Sequence, residues 1–235
     1  MSSLSFFFKI ICFIGRSIAF ATKSIIIMSA AAASTTSSTS DDQYVKSRRE
    51  HGRYVNSFNP EFRLPSVGTL LRWGLFTKDN THLPANDEEL DRSLPVIKHS
   101  ADEIVKNTPG LRFIWIGHAT CLVQMDDFIF LTDPVFCARC GAKPYIGPKR
   151  YRPPALTVVD LPEKLEAVVI SHNHYDHLDY PSVQSLNSRY GSKLTWFCGQ
   201  GGRQWFLDCA IENVIELDWW KCHTTRKRFT DCGKI

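Results

Sequence analysis

The sequence predicts an α/β fold, with a short antiparallel β section followed by strands that alternate with helices. Its 235 residues are 43% apolar, which is enough to bury a sizeable core but short for two full domains. Three short runs of branched and aromatic residues lie within residues 111–132, separated by turn signals. From residue 166 onwards, apolar runs of strand length alternate with segments of helical pattern. Together these patterns indicate the α/β class.

Residues 1–43 combine an apolar, basic extension with a segment rich in Ser, Ala and Thr that we expect to be disordered. Lys9, Arg16 and Lys23 interrupt the extension, so no uncharged run reaches the roughly 18 residues that a spanning helix needs. These basic residues recur every seven positions and would share one helix face, which is typical of a targeting or interfacial segment. The alternatives are a secretory signal, or a start at Met28 that makes the first 27 residues optional.

Residues 44–110 are predicted to form an N-terminal region with short helices. Apolar residues within 66–76 recur near helical spacing and predict a helix. We expect this helix to pack on its own domain. The alternative is that it dips into a membrane interface, because Trp73 and Phe76 favour that boundary. The acidic segment 87–94 predicts a second short helix or a turn.

The β section is predicted to contain three antiparallel strands at 111–116, 121–125 and 128–132, joined by short turns. Asp133 and Pro134 end the third strand. The first half of the main domain is expected to cover residues 111–220, which leaves 221–235 as a divergent tail.

The segment 136–155 is predicted to be an irregular loop, because it contains four prolines. It also holds a cluster of basic residues. Such a cluster is either a solvated surface or a site that attracts an anionic head group. Its members are Lys143, Lys149, Arg150 and Arg152.

The α/β section contains strands and helices in alternation. Asp179 stands where a helix cap belongs, just before Pro181. The glycine-rich stretch 199–202 is predicted to be a plain turn, because its spacing does not fit a dinucleotide-binding fingerprint. The predicted elements are strands at 166–170, 194–198 and 213–219 and helices at 181–190 and 203–210.

The stretch SHNHYDHLD (171–179) gathers metal-ligand side chains directly after an apolar strand. Residues two apart in an extended chain point to the same side, so His172 and His174 can face one metal ion together. Asp176 and His177 lie just past the turn and can face a second site nearby. Imidazole and carboxylate ligands suit zinc, and two metals about 3.5–4 Å apart can clamp a phosphoester under attack. Buried His and Asp would be costly if unpaired, which favours metal binding over a structural role.

Charge and cysteine usage narrow the class of protein. A net charge of +4 gives no global basic field, so we expect no nucleic-acid partner. The eight cysteines are scattered through a long chain, which indicates a reducing, intracellular compartment. Cys137 and Cys140 form the one CxxC pair. We expect buried or incidental thiols there, with a zinc knuckle or a redox pair as the alternative.

Several long stretches resemble the N-acyl-phosphatidylethanolamine-hydrolysing phospholipase D family of the metallo-β-lactamase superfamily. The resemblance runs from about residue 58 to residue 220. The stretches are WIGHATCLVQMDDFIFLTDPVF (115–136), YIGPKRYRPP (145–154), ISHNHYDHLDY (170–180) and ENVIELDWW (212–220).

This resemblance implies a four-layer αβ/βα sandwich with two zinc ions in a cleft at its edge, of which this chain covers the N-terminal half. It implies hydrolysis of N-acylphosphatidylethanolamine to N-acylethanolamine and phosphatidic acid by a peripheral membrane enzyme. The partners it implies are the phospholipid substrate, the membrane surface and a second copy in a homodimer.

The resemblance also carries over individual site residues. His172 and His174 would hold the first zinc, and Asp176 and His177 the second, with the latter two as the catalytic pair. Asp133 would lie behind these ligands at a strand end, and His118 in a loop near the site. Lys149, Arg150 and Arg152 would contact the head group.

The family needs three more ligands, which come from its later half, and residues 221–235 do not resemble that continuation. His223 and Asp231 are ligand types, but neither lies in a matching motif. We therefore expect one sheet face to lack its cover and to expose a large apolar patch. The alternative functions are a non-catalytic form that binds a membrane or a full-length partner, and another hydrolase of this fold, such as a lactonase.

Overall fold

The computed structural model describes residues 45–223 except 60, 64, 77–83, 85, 106–108 and 144. The extension at 1–43 and most of the tail, including Asp231, lie outside these residues. None of the helices in the described ranges has the length and hydrophobicity needed to span a bilayer.

Eight strands and five α-helices make up the described chain. The strands are β1 (Arg48–Glu50), β2 (Arg53–Val55), β3 (Leu111–Gly117), β4 (Thr120–Met125), β5 (Phe128–Thr132), β6 (Ala167–Val169), β7 (Thr195–Gly199) and β8 (Val214–Leu217). The helices are α1 (Val67–Phe76), α2 (Asp87–Ser93), α3 (Ala101–Val105), α4 (Tyr180–Tyr190) and α5 (Arg203–Asp208), with 3₁₀ turns at Val158–Asp160 and Gly191–Lys193.

Six strands form one mixed sheet in the order β3-β4-β5-β6-β7-β8. The pairs β3–β4 and β4–β5 are antiparallel, and the pairs from β5 to β8 are parallel. This confirms the predicted antiparallel section and the α/β alternation after it. The parallel strands need crossover connections, and α4 and α5 supply two of them.

One face of the sheet packs against the helices and forms the main core. Leu131, Val168 and Trp196 are fully buried in the centre of the sheet, where they join Leu186 of α4 and Phe206 of α5. Apolar side chains on both faces are typical of strands in the middle of an α/β sheet. The core therefore fixes the strand ends on which the candidate site is built.

The opposite face carries a smaller apolar cluster, and the expected exposed patch is present only at its edge. Val123, Phe130 and Phe197 are buried, so the centre of this face is not a large exposed patch. Exposure is greatest at the edge strand β3, where Leu111, Phe113 and Trp115 are 65%, 46% and 37% exposed. On this face the ring of His223 lies beside that of Phe197, with their centroids 5.6 Å apart.

Helix α1 has the predicted bounds, but the expectation that it packs on its own domain was wrong. Every side chain described in this helix is exposed. Trp73, Leu75 and Phe76 are 67%, 75% and 77% exposed. Apolar residues lie around much of the helix, so no single stripe faces the core. In contrast, α2 buries one residue, Leu90.

Helix α4 begins and ends as its sequence predicts. Asp179 is the N-cap, and its carboxylate accepts hydrogen bonds from the backbone N–H and the hydroxyl of Ser182. Pro181 lies in the first turn, and Gly191 at φ 56° ends the helix. The Ser182 hydroxyl in turn accepts a hydrogen bond from the backbone N–H of Phe136 at 2.8 Å. The cap therefore ties α4 to the segment after β5.

We expect Asp179→Ala to lower the free energy of unfolding by about 1–2 kcal/mol, because a cap is lost and the buried Ser182 loses a partner. Urea unfolding followed by circular dichroism measures the change. Ser185→Ala is the matched control, since its exposed hydroxyl donates to the Pro181 carbonyl within the same helix. Equal stabilities of the two variants would contradict the capping role.

Candidate metal centre

The predicted ligand residues lie at the edge of the sheet where the parallel strands β5 and β6 end. Asp133 directly follows β5, and the loop 171–177 closely follows β6. His118 lies in the turn between β3 and β4. That turn reaches the same edge because β4 is antiparallel to β5, with Cys121 opposite Thr132. Three separate segments therefore meet at one place.

The loop after β6 folds into a compact turn. The backbone N–H groups of His177 and Leu178 donate to the carbonyl of His174 at 2.9 Å and 2.7 Å. This turn brings His177 back beside His172, so that their ring centroids are 4.0 Å apart. The four predicted ligand residues are therefore neighbours in space as well as in sequence.

His118, Asp176 and His177 form a group whose potential ligand atoms all lie within 4.8 Å of one another. Nε2 of His118 is 3.1 Å from Oδ2 of Asp176, and Nε2 of His177 is 3.6 Å from the same oxygen. Both histidines thus direct one ring nitrogen towards one carboxylate. His118, which the resemblance places only near the site, lies within this group.

His172 and His174 form a second pair beside this group. Nε2 of His172 is 3.1 Å from Nδ1 of His174, and the two ring centroids are 4.5 Å apart. The other nitrogen of His172, Nδ1, lies 2.9 Å from the hydroxyl of Ser171. The ring nitrogen of His172 that does not contact Ser171, Nε2, therefore faces His174.

Asp133 is the buried carboxylate that orients the loop. It is 1% exposed, and its Oδ2 lies 2.8 Å from Nδ1 of His177. Its Oδ1 accepts a hydrogen bond from the backbone N–H of Ser171 at 2.7 Å, and its Oδ2 accepts one from the Ser171 hydroxyl at 2.7 Å. With Nδ1 of His177 held in this way, Nε2 is the nitrogen left for a ligand bond.

Electrostatics shift the pKa values of these residues. Burial and the imidazoles of His177 and His174 lower the pKa of His172. Burial also disfavours the charged form of His177, but the hydrogen bond and charge of Asp133 outweigh it and raise its pKa. Burial disfavours ionised Asp176, but a backbone hydrogen bond and the neighbouring imidazoles outweigh it and lower its pKa. Asp176 is therefore ionised at neutral pH.

The spacing of these atoms fits a metal ion. Two ligands at about 2.0–2.1 Å from one tetrahedral zinc lie about 3.3 Å apart. The separations of Asp176 Oδ2 from Nε2 of His118 and of His177 are 3.1 and 3.6 Å, and the two nitrogens of the His172–His174 pair are 3.1 Å apart. All three distances are close to this value. Imidazole nitrogen and carboxylate oxygen suit zinc, and they also suit iron. The side chains thus form a candidate divalent-metal centre.

We expect metal affinity to rise with pH between about pH 5 and pH 8, because the proton on His177 competes with the metal. The stability of the metal-free protein should change in the opposite sense and fall as pH rises. The raised pKa of His177 contributes stability that is fully present below its unfolded value, about 6.5, and is lost as pH rises through the folded pKa. Calorimetric zinc titrations in buffers of different ionisation enthalpy measure the released protons. Affinity that does not change with pH would contradict this expectation.

The basic side chains of the loop 136–155 differ in exposure and in their partners. Lys143 and Lys149 are exposed. Arg152 pairs with Asp91, and Arg150 donates from Nη1 to the backbone carbonyl of Val135 at 2.8 Å. Of the three predicted head-group residues, Lys149 alone therefore extends its charge into solvent.

The CxxC residues of the same loop are free thiols in the structure. Cys137 and Cys140 are both half-buried. Burial, together with Asp179, raises the pKa of Cys137 to about 12, and burial also raises the pKa of Cys140. Thiolates are the reactive and metal-binding form, so these shifts favour the predicted unreactive thiols.

Two residues that shape the site, Ser171 and Thr120, could not be identified from the sequence pattern. Ser171 lies directly before the histidine motif, and its position was the one available hint. Thr120 is fully buried; its hydroxyl donates to the Asp133 carbonyl at 2.8 Å and accepts from the Val135 N–H at 3.0 Å. Thr120 therefore fastens the turn of His118 to the segment that follows β5.

Comparison with known proteins relates part of the chain to a known domain family. Residues 129–231 match the model of a beta-lactamase superfamily domain, which extends past Trp220, where the sequence resemblance was expected to fade. Among solved structures, the diiron β-hydroxylase CmlA from Streptomyces venezuelae is 20% identical, covers 50% of this chain and 22% of its own, and superposes with a TM-score of 0.37. A score of this size carries no argument about the chemistry of the site.

Curated relatives give the family more closely. N-acyl-phosphatidylethanolamine-hydrolyzing phospholipase D 1 of Caenorhabditis elegans is 36% identical over 66% of this chain and 44% of its own length. An uncharacterized protein of Mycobacterium tuberculosis is 32% identical over 71% of this chain and 46% of its own. The mitochondrial phospholipase D of the same name from Saccharomyces cerevisiae is 28% identical over 75% and 44%. The chain thus spans a little under half the length of these relatives. It contains a metallo-β-lactamase-fold domain and is similar to the N-acyl-phosphatidylethanolamine-hydrolysing phospholipases D.

Proposed function

We propose that this chain serves in the zinc-dependent hydrolysis of N-acylphosphatidylethanolamine to N-acylethanolamine and phosphatidic acid. The observation that carries the proposal is the convergence of His118, Asp176 and His177 at the end of two parallel strands. The similarity to two phospholipases D of that name supports the choice of substrate. The match to a beta-lactamase superfamily domain supports the hydrolase class.

Two groups of side chains would hold the metal. His172 and His174 would bind one ion through the nitrogens that face each other, and Asp176 and His177, joined by His118, would bind the second. Zinc supplies positive charge, which makes water more acidic and stabilises the negative charge that a phosphodiester gains under attack.

The protein residues prepare this site in two ways. Asp133 holds Nδ1 of His177, so the ring presents Nε2 to the site and does not rotate away. Asp176 is ionised at neutral pH, and its Oδ2 lies 3.1 Å from Nε2 of His118. Its negative charge offsets the cations and gives a water molecule near the site an acceptor for its proton. Asp176 and His177 are therefore the proposed catalytic residues.

The proposed substrate has an anionic head and apolar tails, and exposed features of the chain are compatible with it. Lys149 extends a positive charge into solvent, and α1 exposes Trp73, Leu75 and Phe76. Tryptophan and phenylalanine favour the membrane interface, and basic side chains favour anionic lipid. We therefore propose an intracellular protein that binds the membrane surface peripherally. Dimerisation stays a prediction from the resemblance.

Release of product from a labelled lipid tests the proposed function. The full chain is loaded with zinc and incubated with vesicles that contain N-acylphosphatidylethanolamine labelled in the N-acyl group. We expect labelled N-acylethanolamine to appear, and a chelator to stop its release. His99→Ala is the matched control for histidine loss, because His99 pairs with Glu103 and lies outside the metal group.

Two other outcomes would replace the proposal. Vesicle binding without product release by a zinc-loaded chain would support the non-catalytic form. Hydrolysis of a lactone without hydrolysis of the phospholipid would support another hydrolase of the same superfamily.

A further inference from the structure

The turn that carries His118 adopts an unusual backbone conformation. Gly117 has φ 143° and His118 has φ 52°, and the pairing of β3 with β4 shifts register between Trp115 and Gly117. A positive φ is uncommon for a residue with a side chain and persists where the surroundings enforce it. Something must therefore hold this turn, and with it Nε2 of His118 beside Asp176.

Two side chains contact the turn from different elements. The indole Nε1 of Trp115 donates to the carbonyl of His118 at 2.8 Å. On Gly117, the guanidinium of Arg150 lies so close that a Cβ placed there would be 2.4 Å from Nη2. The φ of Gly117 favours glycine, and a side chain at this position would displace the guanidinium of Arg150.

Arg150 also joins the turn to the strand end behind the site. Its Nη1 donates to the carbonyl of Val135, two residues after Asp133, and its own backbone N–H donates to the carbonyl of Ala138 at 2.9 Å. The side chain is half-buried, and Nη1 of its guanidinium bonds to a backbone carbonyl beside the site. One planar group thus contacts the segments that carry His118 and Asp133.

We propose that Arg150, together with Trp115, is a positioning residue that holds the Gly117–His118 turn so that His118 remains in the metal centre. The inference rests on the metal centre proposed above. It also assigns Arg150 a role different from head-group contact, because a guanidinium packed on Gly117 and bonded to Val135 is already engaged. Lys149 keeps the head-group role.

Cobalt titration of the full chain tests this role, because the visible absorption of bound Co²⁺ depends on its coordination geometry. We expect Arg150→Met and Trp115→Phe each to lower cobalt affinity about 10–100-fold and to change the absorption band. Arg150→Lys should recover part of the affinity, since it keeps the charge and one donor but not the planar fork. Lys143→Met, which removes one exposed charge from the same loop, should bind cobalt as the unchanged protein does.

The possible outcomes separate the positioning role of Arg150 from a structural role and from failure of the metal centre. Unchanged affinity and absorption in both Arg150→Met and Trp115→Phe would overturn the inference and leave the proposed function standing. Loss of folded structure in Arg150→Lys, seen by circular dichroism, would show a general structural role and overturn the positioning role of Arg150. An unchanged protein that takes up no cobalt would refute the metal centre and this inference together. An unchanged protein that binds cobalt yet releases no N-acylethanolamine when zinc-loaded would refute only the proposed activity.

Discussion

His177→Ala should reduce the affinity for zinc by more than about 100-fold. Loss of a residue that only supports a ligand lowers metal affinity about 10–100-fold, and His177 is a ligand itself. The variant removes Nε2 from the group formed with Asp176 and His118, and it leaves the buried carboxylate of Asp133 without its imidazole partner. Competition with a chromophoric zinc chelator measures the affinity. Product release from N-acylphosphatidylethanolamine should be lost with the metal.

Two controls make the result specific to the site. His99→Ala should bind zinc as the unchanged protein does, because His99 lies outside the metal group. Circular dichroism shows whether the His177→Ala chain keeps its fold. Retention of full zinc affinity by a folded His177→Ala protein would contradict the assignment of His177 as a ligand.

Asp133→Asn should lower zinc affinity about 10–100-fold while it keeps the shape of the side chain. The carboxylate accepts from His177 and twice from Ser171, and an amide can no longer accept at both ends. The substitution also removes the charge that raises the pKa of His177, so that pKa should fall. Zinc titration measures the first effect, and histidine proton resonances followed against pH in the metal-free protein measure the second.

Asp127→Asn is the matched control for Asp133→Asn. Asp127 is an exposed carboxylate in the turn between β4 and β5, beside Lys164 and away from the ligand loop. It should change neither zinc affinity nor the titration of His177. If Asp133→Asn behaves in the same way as this control, then Asp133 does not orient the ligand.

Local sequence signals were sufficient for most elements of the main domain. Alternation and turn residues predict the three strands within 111–132, and Asp179 and Gly191 delimit α4. The hairpin of β1 and β2 was missed because its strands are short, charged and exposed, without an apolar alternation. Helix α3 has five residues, too few for a helical period to stand out.

The candidate site could be predicted in part for a similar reason. The ligand loop is contiguous, so its spacing after a strand is visible in the sequence. The approach of His118 depends on the register of β4 against β5 and on a positive φ, and neither is encoded in a local pattern. The inward direction of Arg150 likewise depends on packing against Gly117, 33 residues away by the numbering of the sequence.

The exposure of α1 shows that helical periodicity predicts a helix but not what its apolar side chains contact. Trp73 and Phe76 remain exposed, which keeps the membrane-interface alternative in place as a proposal.

Metal content is the measurement that tests the central claim most directly. The full chain and a variant with alanine at His172, His174, Asp176 and His177 are dialysed against zinc, freed of excess and examined by plasma mass spectrometry. Convergent imidazoles and a carboxylate at the rim of the sheet should retain about one to two zinc ions per chain, and the variant should retain none. A folded chain that retains no more zinc than the variant would contradict the account.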